Sequence, residues 1–271
     1  MSALCIARFR WEIVSGPVGP KGENMKTRNP EALAISSDTR RPVFSNMGGR
    51  NQARASRPKE CRQKFLKFFP EGFYDPKYLA WERDYKVNSH RKWRQELEQE
   101  SFAKLLALRK FSEIALKAVR AESSTNLLFS FEKMALRDAL KSETGAKGFA
   151  TGLFDWLYGS GAEEERFEKW VGQVEKLPRK QTRVLTWPMV TVFGFLAEPA
   201  SQIFLKPMVT KAAAQAYGIE WNYISRPNWE TYRQLLEFAK LLKKELRDLK
   251  PRDMIDIQSF IWVLGSEEYS E

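Results

Sequence analysis

The stretch Asn228-Trp229-Glu230-Thr231-Tyr232-Arg233-Gln234-Leu235-Leu236-Glu237-Phe238-Ala239-Lys240-Leu241-Leu242-Lys243-Lys244-Glu245-Leu246 decides the fold class. Tyr232, Leu235, Leu236, Ala239, Leu242 and Leu246 recur at three- and four-residue steps, which puts them on one face of a helix. Asn228 stands where a side-chain oxygen can cap the first-turn amides. The stretch predicts an amphipathic helix over residues 229–249 that must bury its apolar face against other elements.

The same grammar extends in both directions. Asp75-Pro76 gives a cap followed by proline at the first helical position, and helical material runs to residue 122 with a break near Asn88-Ser89. Thr125 opens a helix over 126–141, and Thr144 opens one that ends at Gly159. Glu163-Glu164-Glu165 complements the positive end of a helix over 163–176. Trp187-Pro188 opens a short segment that is apolar all round, hence buried. Lys206-Pro207 starts a helix ending at Tyr217-Gly218, and Pro251 starts a last one ending at Leu264-Gly265. Prolines near helix starts and glycines at helix ends agree with the apolar periods. The expectation is an all-α single domain of eight to ten helices over residues 61–271, with residues 219–224 as the one strand candidate.

Residues 1–60 differ in character. They are rich in Gly, Pro, Ser, Arg and Asn, without sustained periodicity, and predict a disordered basic segment. Met25 and Met47 are alternative translation starts, which would make this segment partly a start-site artefact. It carries a net +6 of the overall +11; the body is mildly basic with mixed charges. A basic tail attracts phosphates without shaping a groove for them. No apolar run spans a bilayer and no signal peptide opens the chain, so no membrane is implied. With two cysteines, Cys5 and Cys61, the expected setting is cytoplasmic with free thiols.

Most catalytic inventories are absent from the sequence. From Phe65 onward there is no cysteine and one histidine, His90, which lies in a cationic run and reads as a solvated helix-face residue. That leaves no cysteine nucleophile in the body, no Cys/His metal cage and no phosphate-cradling glycine loop. Neither a cofactor nor a metal is implied. Asp253 and Asp256 share the first turn of the last helix; they are either a carboxylate pair for acid-base work or a cap and an ion-pair partner. Lys206, between Leu205 and Pro207, is either a desolvated nucleophile or a lysine reaching solvent. Lys180, Arg183, Trp187, Arg226, Asn228 and Trp229 mix cations, aromatics and an amide, a set able to hold phosphates and stack bases if it converges. Arg62, Lys64 and Lys67 with Phe65, Phe68 and Phe69 form either a basic-aromatic strip or an arm docked on the body.

Two resemblances accompany these readings. Phe69-Pro70-Glu71-Gly72-Phe73-Tyr74-Asp75-Pro76, Phe131-Glu132-Lys133-Met134-Ala135-Leu136-Arg137-Asp138-Ala139 and residues 253–263 together resemble a family of uncharacterised bacterial proteins. The resemblance covers about residues 65–271 and implies no activity. Residues 163–265 are similar in layout to the C-terminal half of helix-hairpin-helix DNA glycosylases. In that family a Pro-Val-Asp-Thr motif supplies the catalytic aspartate; Pro207-Met208-Val209-Thr210 places Val209 there. Leu177-Pro178-Arg179-Lys180-Gln181 replaces the hairpin's Gly-Xaa-Gly. The resemblance then implies a helical fold with nucleic-acid affinity and no glycosylase chemistry. Two classes of function are expected: a binding or interaction protein contacting nucleic acid, or an enzyme built on Asp253, Asp256 and Lys206.

Overall fold

The computed structural model describes residues 48–180 and 182–270, with side chains from Arg57 onward. The expected disorder of residues 1–47, with Cys5 and the alternative starts, lies outside them, as does Gln181. Among the described residues the chain is all-α, with no strand. Its helices are α1 (Gly48–Phe68), α2 (Pro76–Tyr78), α3 (Asp84–Leu97), α4 (Gln99–Ala107), α5 (Phe111–Ser123), α6 (Ser130–Ala139), α7 (Glu143–Tyr158), α8 (Glu163–Glu175), α9 (Trp187–Ala197), α10 (Pro207–Tyr217), α11 (Trp229–Glu245) and α12 (Met254–Gly265). A π-helical turn, Leu79–Arg83, joins α2 to α3 without a break.

Local chemistry accounts for most boundaries. Asp75 caps α2 by accepting from the Lys77 amide, and Pro76 occupies its first position. Ser142, Thr186, Asn228 and Asp253 cap α7, α9, α11 and α12 through their side-chain oxygens. Gly218 ends α10 at φ +82°, in the left-handed region that favours glycine.

Helix α9 is buried along its whole length, as its all-round apolar sequence requires, and forms the centre of the body. Trp156 and Trp170 stack on one side of it, and the Trp170 indole donates to the Val190 carbonyl at 2.9 Å. The extended segment before α10 threads beside α9. The Leu205 amide donates to the Thr191 hydroxyl at 3.0 Å and the Ile203 amide to the Tyr232 hydroxyl at 3.2 Å. A second aromatic centre surrounds Phe65, whose ring meets those of Phe69, Phe73, Tyr78 and Phe260.

Several expectations need correction. Residues 48–60, expected to lack structure, fall in α1, while the buried core of the described side chains begins at Cys61. Cys61 and Phe65 in α1 and Phe69 just past its end, four residues apart, are buried, so of the two readings of this strip the docked arm is the one its Phe65 and Phe69 take. The chain does not break at Asn88-Ser89; it breaks at Glu98 and again at Arg109, whose φ is +55°. The Ser89 hydroxyl is buried and donates to the Ala121 carbonyl, so this residue serves packing of α3 on α5. The last helix starts at Met254, because the Asp253 carboxylate accepts from the Ile255 and Asp256 amides. Residues 219–224 are not a strand; Trp221 and Ile224 are instead tied to Thr231 at the start of α11.

Candidate functional site

The π turn is the element from which the candidate site grows. Such turns carry one residue more than an α-helical turn and recur at functional sites. Here it buries both Glu82 and Arg83, and each enters a different polar network with α12.

Arg83 faces the start of α12. It donates to both Asp253 oxygens, at 2.8 and 2.7 Å, and to Asp256 Oδ1 at 2.8 Å. Asp256, fully buried, also accepts from the Tyr78 hydroxyl at 2.6 Å and from the Arg252 amide and guanidinium at 2.8–3.0 Å. Arg252 donates onward to the Phe73 carbonyl. Burial pushes the Tyr78 hydroxyl well above its ordinary range, and the Asp256 charge adds to this. Burial by itself would raise the Asp253 carboxyl, but hydrogen bonds from Arg83 outweigh it and hold it below the usual range. Each carboxylate is surrounded by donors. The pair clamps α12 to the π turn and to the 72–74 turn, Asp253 as helix cap and both as ion-pair partners.

Glu82 faces the middle of α12. Lys86 is buried and donates to the Ser259 hydroxyl at 2.8 Å and to Glu82 at 3.3 Å. The Tyr269 hydroxyl donates to the other Glu82 oxygen at 2.7 Å. Burial lowers the Lys86 amine, and the Glu82 charge opposes that shift. Above this network lies a cavity of about 420 Å³. Its walls mix the rings of Trp81, Tyr85, Phe129, Phe204, Trp262 and Tyr269 with polar groups, Lys206 and Gln258 beside Glu82, Lys86, Asn126 and Glu268.

Lys206 enters the cavity because the threaded segment before α10 holds Phe204 and Leu205 in the core and releases the chain at Pro207. Its amine donates to the Leu127 carbonyl at 3.1 Å and lies 3.3 Å from the centre of the Phe129 ring. Burial lowers its pKa from the ordinary value to about 8, with Glu132 opposing. Gln258, on α12, is 3 % exposed, and its Oε1 has no hydrogen-bond partner. A buried amide oxygen left in this way costs on the order of 1–3 kcal/mol.

The structure does not assemble the sequence candidates as one unit. Asp253 and Asp256 do not line the cavity that holds Lys206. Of the proposed nucleic-acid set, Trp187 is buried and donates to the Ile224 carbonyl, so it offers no stacking face. Arg226 makes a bidentate pair with Glu175 at 2.7 and 2.8 Å. Asn228 is a helix cap, and Trp229 packs on Phe167 and Tyr232. Arg183 donates to the Leu185 carbonyl; it shares a hollow with Arg179 and Arg226, and Lys180 is exposed. His90 is half-buried rather than solvated, with its Nδ1 2.8 Å from the Leu196 carbonyl. Glu82, Lys86, Gln258 and Tyr269 escape sequence reasoning. The i,i+4 pair Glu82/Lys86 on the stripe that continues through Ser89, Trp93 and Leu97 is the one signal that could have found them.

Among the described residues no group of three or more His, Cys, Asp or Glu is placed to hold a metal ion. No helix among them is long and apolar enough to cross a membrane. Comparison of the chain with protein-family models, curated proteins and solved structures finds no match in any of the three.

Proposed function

We propose that this chain is a binding protein for a small planar molecule, held in the aromatic cavity between the π turn, α12 and the Lys206 segment. The observation that carries the reading is the unpartnered oxygen of Gln258, a residue that lines that cavity; the oxygen itself is shut off from solvent, and rotation of the amide would turn it to a ligand. Most buried polar atoms find a partner, and one that does not calls for an explanation. A ligand N–H or O–H would supply the missing donor, and the aromatic walls would stack on a flat ring. Lys206 would donate to an oxygen on the same ligand. The ligand class is therefore an aromatic ring bearing both a hydrogen-bond donor and an oxygen acceptor. The nucleic-acid reading has weaker support, since Trp187 is buried and Arg226 is engaged by Glu175.

Salicylate and anthranilate are suitable probes, each with a donor beside a carboxylate on one ring. Either should raise the melting temperature of the full chain in a saturable way, corresponding to about 1.4 kcal/mol at tenfold excess over Kd. Gln258→Leu should stabilise the empty protein by about 1 kcal/mol, because it removes an unpaired buried oxygen, and should abolish the ligand shift. If Gln258→Leu destabilises the protein and neither probe moves the wild-type melt, the proposal fails.

A further inference from the structure

Resting on that reading of the cavity, we propose that Lys206 captures an aromatic aldehyde or ketone there as a covalent imine. The geometry supplies the parts. The half-buried amine lies at an aromatic-lined cavity, fixed by the Leu127 carbonyl on one side and the Phe129 ring on another. No carboxylate is hydrogen-bonded to it. The nearest opposing charge is Glu132, whose oxygens are taken by the Phe129 amide and the Thr186 hydroxyl. The other charged groups lining the cavity are Glu82, Lys86 and Glu268. Lys86 and Glu82 are bonded to each other, and Glu268 accepts from Trp262. Lys206 is therefore the cavity amine available for attack.

The chemistry follows from the protonation state. With a pKa of about 8, roughly a fifth of Lys206 amines are neutral near physiological pH, against about one in a thousand for an ordinary lysine. The nitrogen lone pair attacks the carbonyl carbon, forming the C–N bond as the carbonyl π electrons move to oxygen. A proton passes from nitrogen to that oxygen to give the carbinolamine. The C–O bond then breaks, the oxygen leaves as water with a second proton from nitrogen, and the imine remains. No oxidant or reductant is consumed. The Gln258 amide, its unpartnered oxygen turned into the cavity by rotation, would accept from a hydroxyl on the ring and hold the carbonyl compound there during attack.

Salicylaldehyde is the probe: a flat ring with a hydroxyl donor beside an aldehyde. The full chain is incubated with it at stoichiometric concentration, cyanoborohydride traps any imine, and intact mass and peptide mapping locate the adduct. The expected result is one adduct per chain, at Lys206, heavier by the aldehyde less one oxygen atom. It should form at least tenfold faster than at any other lysine, vanish in Lys206→Arg and be suppressed by excess salicylate. Its rate should rise with pH and level off just above 8. Gln258→Leu keeps the amine and should slow labelling at Lys206 about tenfold, which guards against misfolding of Lys206→Arg. Adducts spread over many lysines and unchanged in Lys206→Arg would overturn the inference. If salicylate still raises the melting temperature in that case, the binding reading stands and only the covalent step fails. If salicylate has no effect either, both fail.

Discussion

Asp256 shows how far a residue's role depends on what packs over it. Buried at 0 % exposure, it accepts from Tyr78, Arg83 and Arg252, so removing its charge leaves Arg83 with Asp253 alone and Arg252 with no carboxylate, only the Phe73 carbonyl. Asp256→Asn should cost about 3–5 kcal/mol by thermal or denaturant melting, the range for breaking a buried pair. Asp253→Asn retains a capping oxygen and loses a partly exposed bidentate contact, and should cost about 1–2 kcal/mol. Because the Asp253 pKa is depressed, its stabilisation is complete above the unfolded value near ~4 and is lost as pH falls through the folded one. Equal costs for the two variants would remove the clamp interpretation. Lys206 gives the same sign in a higher window, for the opposite reason: burial penalises its charged form instead of partners favouring it. Its folded pKa of about 8 lies below that of the unfolded chain, so between the two values the unfolded state binds the extra proton. Stability therefore rises with pH from about 8 towards 10.5. Relative to Lys206→Met, the wild type should gain about 1–2 kcal/mol across that window, after allowance for solvent at its partly exposed head. A flat difference between the two proteins would show that Lys206 is solvated. The sequence marks Asp253, Asp256 and Lys206 as unusual, but it cannot show that Arg83 and Arg252 saturate the first two, nor that Phe129 and Leu127 shelter the third. Those partners lie far along the chain, and no local period encodes them.

At the scale of helices, glycine separates what periodicity reveals from what it hides. Gly265 reads in the sequence as a helix terminator. Its larger role is close approach: a Cβ there would lie 2.0 Å from the Val209 carbonyl oxygen, where α12 crosses α10. That clash is with backbone, which cannot swing aside, so Gly265→Ala should cost about 1–3 kcal/mol as the helices separate. Gly172, inside α8, has nothing within 4 Å of such a Cβ. Gly172→Ala should instead stabilise by about 0.5–1 kcal/mol through helix propensity. Melts of the two variants test the contrast directly, and a neutral Gly265→Ala would mean that α10 and α12 slide freely. Helices α9 and α11 were legible because one is apolar all round and the other has a clean stripe with an Asn cap. The breaks at Glu98 and Arg109 were not, because neither carries Pro or Gly and both depend on how α3, α4 and α5 fold back on one another. The 219–224 alternation misled for a related reason: Trp221 and Tyr223 pack on the core from a loop, and the described residues include no strand for it to pair with.

For the whole molecule, the element that most changes the picture drawn from sequence is α1. Composition placed the boundary of the body at about residue 61, since Gly, Pro and Arg dominate before it. The helix begins well before that boundary, at Gly48, yet the residues it gives to the core, Cys61 and Phe65, lie within it, and Phe65 lies at the centre of the ring cluster that joins Phe69, Phe73 and Tyr78 to Phe260 of α12. Polar links reinforce this join. Arg62 pairs with Asp248 beyond α11, and Lys64 donates to the Leu264 carbonyl at 3.3 Å. The first and last helices thus close the body together, and α12 in turn carries Gln258 into the cavity wall. Two truncations separate these contributions. A chain starting at Lys59 keeps Cys61, Arg62, Lys64 and Phe65, and should melt close to the full chain. A chain starting at Phe69 loses them all. Deleting one buried phenylalanine side chain alone costs about 3–5 kcal/mol, a large share of the ~5–15 kcal/mol that holds a domain together. The shorter chain should therefore populate the unfolded state near 37 °C, and its helical circular dichroism should melt broadly and early. The cavity should fail with it: salicylate should still shift the melt of the Lys59 chain and leave that of the Phe69 chain unmoved. A Phe69 chain that melts like the full one would show that α1 is an appendage, and that the cavity wall on α12 is held by the Asp256 clamp alone.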